Sequence, residues 1–227
     1  MFKADELPLR RRTWLKLAAI PKNRSGWELS DCTEVSSEDL DVIREWIAAA
    51  LDGSIIRAEG SRSCGQGLFL YGSPGHGKTT LALAILQEII RTFSMESFAV
   101  VEGTTMARPA YFIQYSSLLD LKGETMGDPS ADQLRLWEGI LGECKEDTYN
   151  IRVLVIDDVG KEHVSGSQWH SAMLHHVLRT RFNNGLPTII TSNLKDLKTT
   201  YGDATDSFIH EACLMLRLKS LNGDLRK

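Results

Sequence analysis

A glycine-rich segment between two apolar runs constrains the fold of this chain more than any other feature. The segment is LFLYGSPGHGKTTLALAIL, residues 68–86, and its centre fits the pattern G-x-x-x-x-G-K-[ST]. The apolar residues before it predict a short buried strand, and the dense apolar run after it predicts a helix packed on a sheet. Strand, glycine loop and helix therefore occur in the order that a phosphate-binding loop requires.

Each part of this loop has an expected contact with a nucleotide. Gly72, Gly75 and Gly77 let the backbone turn its N–H groups toward phosphate oxygens, and the helix that begins nearby adds its positive end. Lys78 is expected to reach the β- and γ-phosphates, and Thr79 to place its hydroxyl on Mg²⁺. The predicted ATP-binding set is the whole loop: Gly72, Ser73, Pro74, Gly75, His76, Gly77, Lys78, Thr79 and Thr80. His76 occupies a variable position of the pattern and is expected to face solvent.

Polar residues at the ends of two later apolar runs are predicted to complete the site. RVLVIDD ends in Asp157 and Asp158, and PTIITSN ends in Asn193. The carboxyl ends of parallel strands line the ligand crevice of such sheets. Asp157 is expected to hold Mg²⁺ through water, Asp158 to activate or orient the attacking water, and Asn193 to contact that water or the γ-phosphate. The alternatives are that the acids merely cap a strand end and that the amide forms a turn.

Strands and helices alternate along the chain, which predicts an α/β fold with a parallel sheet covered on both faces. Six helices are predicted. They cover about residues 36–53, the apolar run after the glycine loop, a short stretch that opens near 116, the stretch from the Ser130 cap through Cys144, residues 167–182 and residues 205–213. The predicted strands lie at 68–71, 111–113, 152–157, 186–193 and 214–219.

Composition narrows the class of protein. The net charge of −4 over 227 residues means that any nucleic-acid contact must come from a local patch. No apolar run reaches the roughly 18 residues of a membrane span, and the N-terminus lacks the apolar segment of a secretion signal. The four cysteines stand far apart, which argues against a zinc site or a disulfide framework. A cytoplasmic protein without membrane contact is expected.

Several motifs together resemble the AAA+ group of DnaC/DnaI-type replicative helicase loaders and IstB-type transposase helpers. They are the glycine loop, VLVIDDVGKEHVSGSQW, VLRTRFNNGLPTIITSNL and NGDLRK. AAIPKNRSGWELSD looks like the stretch that precedes the ATPase core, so the resemblance covers about residues 20–227. It implies a P-loop AAA+ three-layer sandwich over residues 36–227, with a parallel five-stranded sheet of order 5-1-4-3-2 and no helical lid domain. It also implies self-association with ATP bound at subunit interfaces.

The sequence departs from this family in two places. Many members carry an arginine in the helix before the last strand that reaches a neighbour's γ-phosphate, but Phe208 stands there. Arg181 and Arg217 are the candidate replacements, each with the alternative of an ordinary structural arginine. The loaders also carry a separate helicase-binding domain, where this chain has only about 20 residues, the first part of an N-terminal extension over residues 1–35. Within them LPLRRRTWLKLAAI is either a partner-docking helix or a tail packed on its own domain.

Three functions follow from these patterns. The first is an ATPase that oligomerises and helps load a replicative helicase onto single-stranded DNA, in the compact form of a phage or mobile-element version. The second is an IstB-type helper that binds duplex DNA and stimulates a transposase. The third is a nucleotide-gated binding module with little hydrolysis, which the missing arginine favours.

Overall fold

The structure is a computed structural model that describes residues 7–52, 67–92, 99–101, 104–105, 107–161 and 169–219. Its strands are β1 (Gly67–Tyr71), β2 (Ala99–Val101), β3 (Thr104–Thr105), β4 (Ala110–Gln114), β5 (Val153–Val159), β6 (Thr188–Ser192) and β7 (Cys213–Arg217). Its helices are α1 (Leu7–Leu17), α2 (Ser37–Asp52), α3 (Lys78–Thr92), α4 (Tyr115–Thr125), α5 (Ala131–Leu141), α6 (Trp169–Asn183), α7 (Lys198–Tyr201) and α8 (Asp203–Ala212).

Five strands form one parallel sheet in the order β4-β5-β6-β1-β7. Numbered along the chain without the β2–β3 pair, this order is 2-3-4-1-5, so the predicted order 5-1-4-3-2 is confirmed. The β1 strand lies between β6 and β7, which brings the glycine loop beside the end of β6. The antiparallel β2–β3 pair was not predicted, and it stands apart from the main sheet.

Alternate side chains of the buried strands enter two hydrophobic clusters, one on each face of the sheet. Leu68 and Leu70 of β1 pack with α1, α2 and α3, whereas Phe69 packs with α4, α5, α6 and α8. Side chains of strand β5 alternate in the same way, with Val155 in the first cluster and Ile156 in the second. The result is a three-layer sandwich, as expected for a parallel sheet whose two faces are both covered.

The N-terminal segment, over its described part, shares the core of the sheet-and-helix domain. Trp14 and Ala18 are buried in the cluster that contains α3, and Phe112 N of the edge strand β4 donates a hydrogen bond of 2.9 Å to Ala18 O. The segment therefore packs on its own domain through one face of α1. Docking of a partner on the other face, where Leu9 is exposed, stays a prediction.

One predicted helix ends earlier than its apolar stripe suggests. Ser130 caps α5 as predicted, with its hydroxyl accepting from Gln133 N. The helix stops at Leu141 because Gly142 adopts a left-handed conformation, with φ of 75°. Cys144, which the stripe placed on the helix, lies beyond this cap and is nevertheless buried.

None of the helices in the described ranges combines the length and apolarity needed to cross a bilayer. In the same ranges, no group of three or more His, Cys, Asp or Glu side chains is arranged to hold a metal ion.

Candidate nucleotide-binding site

The glycine loop joins the end of β1 to the start of α3, and its glycines adopt backbone angles that other residues avoid. Gly75 and Gly77 have φ of 83° and 73°, and Gly72 has φ of 152°. A Cβ atom on Gly72 would lie 2.4 Å from Leu218 O, so the loop is pressed against the chain after β7. The predicted need for glycine therefore has a physical basis in both conformation and space.

The sequence predicted that His76 faces solvent, but its side chain is not fully exposed. Its Nδ1 lies 3.2 Å from Leu218 O, and the side chain is half-buried. His76 is half-buried for the same reason that Gly72 is constrained, because the residues that follow β7 run alongside the loop. His76 still lines the cavity described below, so a contact with nucleotide stays a prediction.

Lys78 begins α3 and is only 6% exposed. Its Nζ donates hydrogen bonds of 2.8 Å to Gly72 O and Ser73 O, which hold the ammonium group over the loop. A buried ammonium needs several acceptors, and phosphate oxygens are stronger acceptors than carbonyls because they are charged. Lys78 is therefore placed and oriented for an anion in the loop.

Asp157, near the end of β5, is buried and accepts two hydroxyl hydrogen bonds. Thr79 Oγ1 donates to Asp157 Oδ1 over 2.8 Å, and Thr191 Oγ1 of β6 donates to the same oxygen over 2.6 Å. Burial raises the pKa of Asp157, while the hydrogen bonds from Thr191 and Thr79 oppose that shift. Thr191 was not predicted as a site residue, although it stands two residues before Asn193 in the strand that lines the site.

Asp158 has a positive φ of 61°, which is uncommon outside glycine. The register between β5 and β6 shifts between Ile156 and Val159, and this bulge turns Asp158 away from the regular alternation. Its backbone N–H donates to Thr191 Oγ1 over 2.9 Å, and its Oδ1 lies 2.7 Å from Lys161 Nζ. Lys161 was missed because nothing in its sequence context distinguishes it from a surface lysine.

Asn193 follows β6 and lines the same cavity as the loop and Asp158. Its Oδ1 is buried and has no hydrogen-bond partner within the described part of the chain. A buried amide oxygen without a donor is costly, so a ligand or water that donates to it there would be stabilised.

The cavity has a volume of about 440 Å³ and lies between the glycine loop and the segment that precedes α2. That segment forms a wall of the cavity that was not predicted from the sequence. The wall residues are Arg24, Trp27, Asp31, Cys32, Thr33, Glu34 and Val35. No local pattern in IPKNRSGWELSD indicates this role, because only the packing of the segment on α3 brings it there.

Arg181 is excluded as an arginine that reaches a neighbouring subunit. It is 0% exposed, and its guanidinium donates to Thr188 Oγ1 and to four backbone carbonyls, those of Ile140, Ile151, Arg152 and Pro187. Burial, with repulsion from Arg152, lowers the pKa of Arg181 to about 9. The sequence prediction for this residue is wrong because its helix position faces the core, where it joins α5, β5 and β6.

Arg217 remains available for that role, since it is exposed at the carboxyl end of the edge strand β7. Phe208 itself is buried, with its ring 5.4 Å from that of Phe182 and with the Arg179 guanidinium 5.1 Å from its centroid. The aromatic side chain thus has a packing role at the position where an arginine was expected.

The donor set fits a nucleotide with Mg²⁺. Thr79 and Asp157 present the oxygen atoms that Mg²⁺ prefers, on adjoining elements and already in contact. The glycine loop and Lys78 supply donors for phosphate oxygens, and the unpartnered Asn193 Oδ1 points to a further donor in the cavity. These residues would hold the ion and the phosphates on the side of the cavity formed by β5, β6 and the loop.

Comparison with known families places this geometry in a wider group. Residues 68–200 match the ATPase family associated with various cellular activities (AAA). The match begins in β1 and contains the glycine loop, the end of β5 and Asn193. No curated protein sequence matches the chain.

Solved structures of replication proteins share the fold. The DnaC helicase loader is 25% identical, with a TM-score of 0.61 over 88% of this chain and 100% of that chain. DnaI is 18% identical, with a TM-score of 0.58 over 88% of this chain and 95% of that chain. The replication initiator DnaA bound to AMPPCP and single-stranded DNA is 17% identical, with a TM-score of 0.54 over 89% of this chain and 52% of that chain.

Proposed function

Because the chain belongs to the ATPase family associated with various cellular activities (AAA), we propose that it binds and hydrolyses ATP with Mg²⁺. We further propose that it uses this cycle to help load a replicative helicase onto single-stranded DNA. The observation that carries the proposal is that the glycine loop, Asp158 and Asn193 line one cavity, while Asp157 accepts a hydrogen bond from Thr79 of that lining.

The loop residues bind and orient the triphosphate. Backbone N–H groups of the loop and the ammonium of Lys78 donate to phosphate oxygens, with Lys78 exchanging carbonyl acceptors for charged ones. Thr79 and Asp157 would hold the ion, Thr79 through its hydroxyl and Asp157 through water. When bound, the ion supplies positive charge against the phosphate oxygens.

Asp158 and Asn193 act on the attacking water. The carboxylate of Asp158 accepts its proton or orients it, and the free Oδ1 of Asn193 accepts its second hydrogen. Lys161, 2.7 Å from Asp158, holds that carboxylate in place. Substitution of Asp158 by Asn is therefore expected to slow hydrolysis while ATP affinity is retained.

Likeness to the DnaC helicase loader, at 25% identity and over its full length, supports the choice of client. The test measures helicase loading on single-stranded DNA with the replicative helicase from the same source. Lys78→Ala should abolish ATP binding and ATP-dependent loading, while Lys198→Ala, which removes an exposed lysine that is not part of the cavity lining, should leave both unchanged. Full loading by Lys78→Ala would contradict the proposal, and stimulation of a transposase on duplex DNA would support the IstB-type alternative.

A second candidate, a nucleotide-gated module with little turnover, is favoured by the burial of Arg181 and Phe208. Among the three positions considered for a trans-acting arginine, only Arg217 is exposed. Self-association with an ATP analogue, followed by light scattering, tests whether subunits meet at the nucleotide. Hydrolysis that single-stranded DNA stimulates and Arg217→Ala abolishes would rule out the low-turnover module.

A further inference from the structure

We propose that Arg24, in the segment before α2, is a further ligand of the nucleotide's phosphate chain and contacts it near the α-phosphate. The inference rests on the proposed function, in which this cavity holds ATP. Arg24 Nη1 donates a hydrogen bond of 2.7 Å to Thr80 Oγ1, and both residues line the cavity. Thr80 is the last residue of the predicted phosphate-binding set, so the guanidinium lies at the edge of the phosphate site.

The start of α3 shows which end of the phosphate chain Arg24 faces. Adjacent residues of a helix point about 100° apart. Thr79 directs its hydroxyl to Asp157, on the side of the ion, whereas Thr80 contacts Arg24. With Lys78 assigned to the β- and γ-phosphates, Arg24 is left beside the part of the chain nearer the base. Trp27 lines the cavity from the same segment.

The charges of the cavity also single out Arg24. Its cationic side chains include Arg24, Lys78 and Lys161, and Lys161 is paired with Asp158. Among the described residues, Arg24 has no carboxylate in an ion pair with it; its guanidinium donates to the Thr80 hydroxyl and lies 5.7 Å from the Trp27 ring centroid. The planar guanidinium therefore keeps N–H donors for a phosphate, which it can bind in a bidentate way.

The side chain of Gln87, in α3, fixes the backbone of the segment that contains Arg24. Gln87 is 1% exposed, its Oε1 accepts from Gly26 N over 2.7 Å, and its Nε2 donates to Arg24 O over 3.1 Å. The carbonyl of Arg24 and the N–H two residues after it are thereby bonded to one buried amide. Such preorganisation reduces the cost of ordering the side chain when a phosphate binds.

Calorimetric titration with ADP, the β,γ-methylene analogue of ATP, and adenosine tests the proposal. Arg24→Gln should weaken both ADP and the ATP analogue by about 10- to 100-fold, as expected for a lost charge-assisted hydrogen bond. Adenosine, which lacks phosphate, should bind the variant and the original protein equally. Lys22→Gln is the matched control, because it removes an exposed positive charge from the same short 3₁₀ helix (Lys22–Arg24) outside the cavity lining.

Unchanged ADP affinity in Arg24→Gln would overturn the proposal, as would an equal loss for adenosine or a loss confined to the ATP analogue. Lys78→Ala separates this failure from failure of the proposed function, because it should abolish ADP binding whatever Arg24 does. Should Arg24→Gln not fold, phenylglyoxal modification of the original protein decides. ADP should protect Arg24 and adenosine should not, and absence of protection by ADP would overturn the proposal.

Discussion

Thr79 of α3 and Asp157 of β5 are joined by a hydrogen bond of 2.8 Å, although 78 residues separate them in the sequence. The bond exists because β1 and β5 are both parallel neighbours of β6, so that their carboxyl ends lie at one edge of the sheet. The two groups assigned to Mg²⁺ are thus held together by the fold itself. Their contact leads to the first prediction.

Thr79→Val keeps the shape of the side chain and removes the hydroxyl. We expect it to weaken Mg²⁺-dependent ATP binding by about tenfold, because the ion loses a ligand and the buried Asp157 loses a donor. ADP binding without Mg²⁺ should change little. Thr79→Ser, which restores the hydroxyl, should recover most of the affinity in titrations with and without Mg²⁺. An equal loss in both conditions would show that Thr79 acts on the loop rather than on the ion.

Gly72→Ala should destabilise the fold more than Gly26→Ala does. Both glycines have positive φ, at 152° and 89°, but only the new Cβ at Gly72 would meet an atom, Leu218 O at 2.4 Å. We expect a loss of about 2–4 kcal/mol in the free energy of unfolding for Gly72→Ala and about 1 kcal/mol for Gly26→Ala. Urea denaturation measures both, and equal effects would mean that the chain after β7 moves aside freely.

Arg181→Met should be strongly destabilising, with no effect that is specific to hydrolysis. The substitution removes this donor from the buried carbonyls of Ile140, Ile151 and Pro187 and from the half-buried carbonyl of Arg152. At about 1 kcal/mol each, the low end of the cost of an unpaired carbonyl, we expect a total loss of about 4 kcal/mol. The control is Arg179→Met, an exposed arginine two residues earlier on α6, with an expected loss below about 1 kcal/mol. Stable Arg181→Met with reduced ATP turnover would return Arg181 to the catalytic candidates.

Cys32 should react slowly with iodoacetamide at neutral pH. Burial, with the nearby charge of Asp31, raises the pKa of its thiol to about 11, so the reactive thiolate is scarce at pH 7. Because the raised pKa favours the protonated form, the alkylation rate should keep increasing about tenfold per pH unit up to pH 10. Site-resolved mass spectrometry follows the modification. A plateau of the alkylation rate near pH 9 would contradict a pKa of about 11 for Cys32.

Bound nucleotide should protect Cys32 from the same reagent. Cys32 is 7% exposed as a residue and lines the cavity assigned to ATP. ADP at saturating concentration is therefore expected to lower its alkylation rate at pH 9, while Cys144, which lies outside the cavity lining, serves as the internal control. Equal rates with and without ADP would place the nucleotide elsewhere.

The local sequence determined the phosphate loop, the alternation of strands and helices, and the strand ends that carry Asp157, Asp158 and Asn193. These features depend on short-range physics, because glycine conformation, apolar periodicity and strand-to-helix order are all properties of neighbouring residues. The order of the strands came from resemblance to a family and is confirmed by the structure. Residue spacing alone carried no information on it.

Only the tertiary structure decided which residues that are distant in the sequence line the site, and which predicted site residues lie outside it. Arg24 and Trp27 line the cavity because their segment packs on α3, and Lys161 does so because it lies beside the bulge at Asp158. Arg181 lies in the core, although its sequence context is equally compatible with a surface arginine. The physical reason is that burial and long-range contact depend on the packing of whole elements, whereas a motif records only its immediate neighbours.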